Sequence, residues 1–164
     1  MKDNVILIGM PGCGKSTIGV LLAKNLAYSF TDSDLVIQEQ SGRRLQEMID
    51  ELGPAGFAKF EEAVNATLNP HHTVIATGGS AVYGEQAMSH FREIGTIVYL
   101  RTSFEEISAR IRDYDTRGLV IPEGQTFEDV FRERVPLYER WADRTVDTDG
   151  KDLWDIVEEI SASL

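Results

Sequence analysis

Apolar positions fall into two rhythms along this chain, and the two alternate. Residues 4–9 (NVILIG) form an unbroken apolar run closed by glycine, the pattern of a short strand buried on both faces of a parallel sheet. From Lys15 to about position 28 the rhythm changes: Ile18, Leu22 and Leu26 recur at intervals of four with Leu21 beside them, giving a helix one apolar stripe. Further strand candidates at residues 29–32, 73–77, 96–100 and 144–148 are each separated from the next by helical pattern. Strands alternating with helices predict an α/β fold with a parallel sheet.

The punctuation supports this division. Ser103 with Glu106 and Thr126 with Asp129 have the spacing of a capping box, and Gly42 and Gly53 are placed as C-terminal stops. Pro136 falls inside the helical run 126–142, where it predicts a kink or a fresh start. Periodicity is lost over residues 113–125 (DYDTRGLVIPEGQ), and Gly118, Pro122 and Gly124 predict a long mobile loop there. With no repeats, low-complexity tracts or linker-like stretches, residues 1–164 read as one domain.

Composition narrows the function classes. At 42% hydrophobic and 26% charged the chain is an ordinary soluble domain, expected to be monomeric. No stretch approaches the roughly 20 apolar residues of a membrane span, and nothing at the start resembles a signal peptide, so the expected location is the cytoplasm. A formal net charge of −11 with no basic stripe argues against nucleic acid as a partner. Cys13 is the single cysteine and forms no internal disulfide; His71 and His72 have no companion at metal-ligand spacing. Trp141 and Trp154 are expected in the core.

The chemistry begins at Gly9-Met10-Pro11-Gly12-Cys13-Gly14-Lys15-Ser16, followed by Thr17, which has the P-loop spacing between a strand and a helix. Glycines there let successive backbone N–H groups turn inward around a phosphate, and the helix start adds its positive dipole end. Lys15 bridges the outer phosphates of ATP in such a loop, and the Ser16 hydroxyl binds Mg²⁺. Asp32-Ser33-Asp34 ends the second strand candidate at the same sheet edge. Alternation sends both carboxylates to one side, although Asp34 would also serve as the cap of a following helix. Gly78-Gly79 follows the third strand candidate, where backbone approaches a ligand closely or simply turns. Arg110, Arg117 and Arg134 are scattered basic residues in and around the loop 113–125, and phosphoryl transfer needs such charge.

With these residues in place the chain resembles the shikimate kinase family of nucleoside-monophosphate-kinase-like P-loop proteins. The resemblance rests on the P-loop at 9–17, Asp32-x-Asp34, Gly56-Phe57-x-x-x-Glu61, Gly78-Gly79, Arg117, Arg134-x-Pro136-Leu137-Tyr138 and a terminal Val146-Asp147-Thr148 strand. It implies a five-stranded parallel sheet flanked by helices, a three-layer P-loop sandwich, with a lid at about 113–125 and an acceptor-binding helical segment at about 34–62. It also implies roles. Asp32 orients Mg²⁺ through water, Asp34 contacts the acceptor hydroxyl, Arg117 reaches the phosphates, Arg110 lies near the adenine, and Arg134 holds the acceptor's carboxylate. Three positions depart from the family pattern: Ala58 stands where the family has a second carboxylate-binding arginine, Ser80 replaces the third glycine of Gly-Gly-Gly, and Gly118 replaces the proline of Arg-Pro-Leu.

These readings converge on transfer of the γ-phosphoryl group of Mg-ATP to a hydroxyl of a small metabolite, with shikimate the first-named acceptor and another small hydroxy compound the alternative. A catalytically silent ATP-binding regulator is the reading from a different class; Lys15, Ser16, Asp32 and Asp34 argue against it. A nucleotide kinase is disfavoured because residues 43–62 offer only Arg43, Arg44 and Lys59 for an acceptor phosphate.

Overall fold

The computed structural model describes residues 2–113 and 121–164. The opening apolar run is β1 (Asn4–Ile8), buried at every position. After it come α1 (Lys15–Leu26), β2 (Ser29–Asp32), α2 (Ser33–Ser41), α3 (Leu45–Thr67), β3 (Thr73–Ala76) and a 3-10 turn (Ala81–Tyr83). The remaining elements are α4 (Glu85–Ile94), β4 (Gly95–Arg101), α5 (Phe104–Asp113), α6 (Phe127–Trp141), β5 (Arg144–Asp147) and α7 (Leu153–Ser163).

The strands form one sheet in the order β2-β3-β1-β4-β5, with every neighbouring pair parallel. β1 lies at the centre, Val5 pairing with Val74 on one side and Thr96 on the other. Its apolar residues therefore face covering layers above and below, and Ile6, Leu7 and Ile8 are fully buried. The stripe predicted for α1 is confirmed, with Ile18 and Leu22 in the same core. The carboxyl ends of β2, β3 and β1 lie side by side, so residues 32–34, 77–79 and 9–14 meet at one edge.

Several expectations change on contact with the structure. Pro136 does not restart α6, which runs from Phe127 to Trp141 as one helix with the proline inside it. Pro136 and Arg132 are both exposed, so the carbonyl freed by the missing N–H faces water. Trp154 is 51% exposed, because α7 turns Ile156, Val157 and Ile160 inward instead; Trp141 is buried as expected. Gly53 does interrupt α3 (φ 71°, ψ 171°), but helix resumes at once through Pro54, a residue suited to a first helical turn. Gly42 caps α2 in the left-handed conformation, and Thr126 with Asp129 completes a capping box. At Ser103 only half the box forms: the Glu106 N–H donates to Ser103 Oγ, while the Glu106 carboxylate turns to Arg110. Of the stretch expected as a loop at 113–125, Asp113 belongs to α5 and the Gln125 N–H closes a turn onto the Pro122 carbonyl, while residues 114–120 lie outside the described residues. Arg117 and Gly118 lie outside the described residues.

Candidate active site

The loop between β1 and α1 sits at the central strand's carboxyl end. Gly12 (φ 80°) and Gly14 (φ 95°) are left-handed, a conformation that costs glycine nothing. Gly14 is the N-cap of α1, so the loop leads straight into the helix's positive end. Lys15 is buried, its ammonium donating to the carbonyls of Gly9 at 2.7 Å and Met10 at 2.8 Å. Pro11 lies half-buried on the loop and Thr17 exposed in the first turn of α1, while Cys13 is buried with Sγ 3.7 Å from Lys15 Nζ. On the outer side Arg110 of α5 donates to the Gly12 carbonyl at 3.1 Å and pairs with Glu106.

The acidic pair takes its orientation from a helix cap, not from strand alternation. α2 begins at Ser33, and the N-cap is Asp32, whose Oδ1 accepts the Asp34 N–H at 2.9 Å. Its other oxygen accepts the Ser16 hydroxyl at 3.0 Å, joining β2 to the P-loop. Asp34 is thereby released from capping, and its carboxyl faces the Gly78 backbone. A Cβ on Gly78 would meet both Asp34 Oδ1 and Glu61 Oε2 at 2.8 Å, so glycine is the residue that lets the two carboxyls close in. A Cβ on Gly79 would collide with Pro11 at 2.6 Å and lie 3.0 Å from Arg134 Nη1. The Gly78-Gly79 backbone is therefore clasped between the P-loop and α6.

Arg134 is buried on α6 with its guanidinium over the Tyr83 ring at 5.5 Å. One turn on, the buried Tyr138 hydroxyl donates to the Gly79 carbonyl at 2.6 Å, and its ring stacks on Tyr99 of β4. Arg134, Tyr83, Ser80, Phe57, Ala55, Pro54, Pro122 and Glu133 line a cavity of about 190 Å³ beside this turn.

Burial pushes the Asp34 carboxyl up to about 6; the Asp32 charge adds to the rise and Lys15 opposes it. Burial likewise lifts Glu61 to about 7, with the Ser80 hydroxyl pulling it down, Asp34 pushing it up and Arg134 pulling it down. A raised carboxyl value means that the folded protein holds a proton the unfolded chain has lost, so stability falls as pH rises between about 4.5 and 7. Shifts of this size for Glu61 correspond to about 3 kcal/mol. The melting temperature of the free protein is expected to drop from pH 5 to pH 8, and Glu61→Gln to flatten that slope and melt higher at pH 8. Equal slopes for the two proteins in scanning calorimetry at constant ionic strength would show that Glu61 titrates normally.

The structure thus gathers Gly9, Pro11, Gly12, Cys13, Gly14, Lys15, Ser16, Thr17, Asp32, Asp34, Gly78, Gly79 and Arg134 around one sheet edge, with Arg110 on its rim. Arg117 lies outside the described residues. The residue-by-residue reading gave no role to Glu61, Ser80, Tyr83 or Tyr138. Glu61 does leave one trace in the sequence: it is an acid amid Phe57, Phe60 and Val64 on an otherwise apolar helix face.

Fold and site together define a P-loop phosphotransferase of the nucleoside-monophosphate-kinase-like type. A sequence profile described as "Shikimate kinase" matches residues 11–164, and the chain belongs to the shikimate kinase family, ATP-dependent phosphotransferases acting on a hydroxyl group. It is 40% identical to the shikimate kinase of Vibrio parahaemolyticus, covering 92% of this chain and 89% of that one. With the enzyme of Thiobacillus denitrificans it shares 38% over 90% and 82% of the two chains. The structure of shikimate kinase from Acinetobacter baumannii in complex with shikimate superposes with a TM-score of 0.90 at 30% identity, over 99% and 93% of the two chains. A gluconokinase from Sinorhizobium meliloti, at 18% identity and a TM-score of 0.63, shares the fold over 99% of this chain and 92% of that one. Among the described residues no helix is long and apolar enough to cross a membrane.

Proposed function

We propose that this chain is a shikimate kinase, transferring the γ-phosphoryl group of Mg-ATP to a hydroxyl of shikimate. The observation that carries this is the clasp on Gly78-Gly79, where the nucleotide loop, a carboxylate (Asp34) and a buried guanidinium (Arg134) converge within one turn. Backbone N–H groups of residues 12–17 cradle the phosphates, and Lys15 exchanges its carbonyl partners for phosphate oxygens. Ser16 Oγ and Asp32 Oδ2 are hard oxygen donors suited to magnesium, which keeps much of its coordination as water and phosphate oxygen. Bound magnesium supplies charge neutralisation on the phosphates. Asp34 positions the acceptor hydroxyl and takes its proton, and Arg134 pairs with the acceptor's carboxylate. Arg110, fixed to the Gly12 carbonyl, stands on the adenine side.

ADP release with Mg-ATP, measured across shikimate, quinate, hydroxy amino acids, polyols and nucleoside monophosphates, tests the assignment. Shikimate should be turned over. Silence at millimolar shikimate, with another alcohol phosphorylated, would overturn shikimate as acceptor and leave the alcohol-kinase reading standing. Ala58 favours weak binding in particular, since it withholds a second cation from the acceptor's carboxylate. A charged hydrogen bond is worth about 1.5 to 3 kcal/mol, or roughly 10- to 150-fold in affinity. Lys59 points from a helix face about 100° away. Ala58→Arg is therefore expected to lower the KM for shikimate by about tenfold or more with little change in kcat, the mark of uniform binding. An unchanged KM would show that position 58 does not face the acceptor.

A further inference from the structure

On the acceptor side, Glu61 and Ser80 form an interaction that the chemistry above leaves unused. Glu61 is buried on α3 at 2% exposure, among Phe57 and Val64 of the same helix face. Its Oε1 accepts the Ser80 hydroxyl at 2.7 Å. Oε2 is buried and has no hydrogen-bond partner among the described residues. That oxygen does have a direction: it lies 2.8 Å from the point where a Cβ on Gly78 would stand, the same distance as Asp34 Oδ1. Two carboxyl oxygens from α2 and α3 therefore converge on one spot beside the turn that Arg134 and Pro11 enclose.

A buried carboxyl oxygen without a partner is costly, and an aliphatic side chain at position 61 would pack the same helix face without that cost. A hydroxyl of a bound ligand, entering beside Asp34, relieves it. Ser80 adds a second, independent observation. It stands at the N-cap of the 3-10 turn Ala81–Tyr83, yet its side chain makes no cap hydrogen bond and reaches back to Glu61 instead. It also lines the cavity shared with Tyr83 and Arg134.

We propose that Ser80 is a positioning residue of the acceptor site. Its hydroxyl fixes the Glu61 carboxyl so that the second oxygen is presented, next to Asp34, to a hydroxyl adjacent to the one phosphorylated. This rests on the reading that the acceptor is an alcohol delivered to Asp34.

The test compares wild type, Ser80→Ala, Ser80→Thr and Ser80→Gly on shikimate and on its congener lacking the hydroxyl next to the phosphorylated one. Ser80→Ala is expected to raise the KM for shikimate about fivefold, as for loss of one hydrogen bond, with kcat within about threefold and the KM for Mg-ATP unchanged. Ser80→Thr, which keeps a hydroxyl, should restore the shikimate KM. For the deoxy congener the KM should be the same in wild type and Ser80→Ala, because the group that Glu61 receives is absent. Equal increases for both acceptors, or no increase for either, overturn the proposal and leave Ser80 a structural residue. If Ser80→Ala melts too low to assay, Ser80→Gly removes the same hydroxyl and gives the same comparison. Should wild type fail with shikimate, the substrate assignment falls. The comparison is then made on whichever alcohol of the panel is phosphorylated and its deoxy congener, so the two failures are told apart.

Discussion

Lys15→Ala is expected to cut kcat by at least 10²- to 10³-fold and to weaken Mg-ATP binding, with the fold intact. The size follows from what the ammonium does in place. It is a buried cation of the P-loop, held at the loop by the Gly9 and Met10 carbonyls, so it meets the transferring charge by exchanging those partners without leaving the loop. Removing one preorganised donor of that kind costs about 10²- to 10³-fold in rate, and here a full charge goes with it. Lys15 also pulls the Asp34 carboxyl down, so its loss pushes that group higher and moves the acidic limb of any residual activity to higher pH. Coupled ADP-release kinetics and nucleotide titration read both effects. Wild-type affinity and rate in the variant would remove the P-loop from the mechanism.

Asp34→Asn should keep Mg-ATP binding and lose about 10²- to 10⁴-fold in kcat, the range of general-base effects. Asparagine preserves the shape and the Asp32 cap, whose bond is to the backbone N–H of residue 34 and not to its side chain. Only the capacity to take a proton is lost. With burial holding Asp34 near 6, the wild-type rate is expected to fall as pH drops through about 6, because the protonated acid no longer accepts the hydroxyl proton. The variant should lack that limb. A loss of kcat below about threefold would reduce Asp34 to a bystander.

What the sequence exposes, and what it conceals, follows from how each feature is encoded. The P-loop is legible because its chemistry requires eight consecutive residues in one turn, and the sheet is legible because buried parallel strands must be continuously apolar. Asp32 and Asp34 are legible as a pair, but the reason lies elsewhere: a helix begins at Ser33, and the cap assigns one acid to the P-loop and frees the other. Arg134 is one of three scattered arginines until α6 carries it against Gly79. Glu61 is harder still. Its partner Ser80 is 19 positions away and its neighbour Asp34 belongs to a different helix, so no local spacing records the cluster. Trp154 misleads because an aromatic residue signals burial only on average, and α7 already has a complete inward stripe without it.

The central position of β1 has a consequence for how the molecule is made. It precedes the other strands of its sheet along the chain, yet its two partners, β3 and β4, begin at residues 73 and 95. Until the chain has been made through Ala76 the run Val5-Ile6-Leu7-Ile8 has both hydrogen-bonding edges open, and the edge that β4 covers stays open until Arg101. Parallel pairing offers no hairpin shortcut, since each neighbour is reached only through a crossover. Loop-closure entropy must be met before the pairing returns anything, which makes this topology slow to form and leaves a sticky segment waiting in the nascent chain. The strand that anchors the phosphate loop in the finished protein is thus the one most in need of protection while that protein is being born.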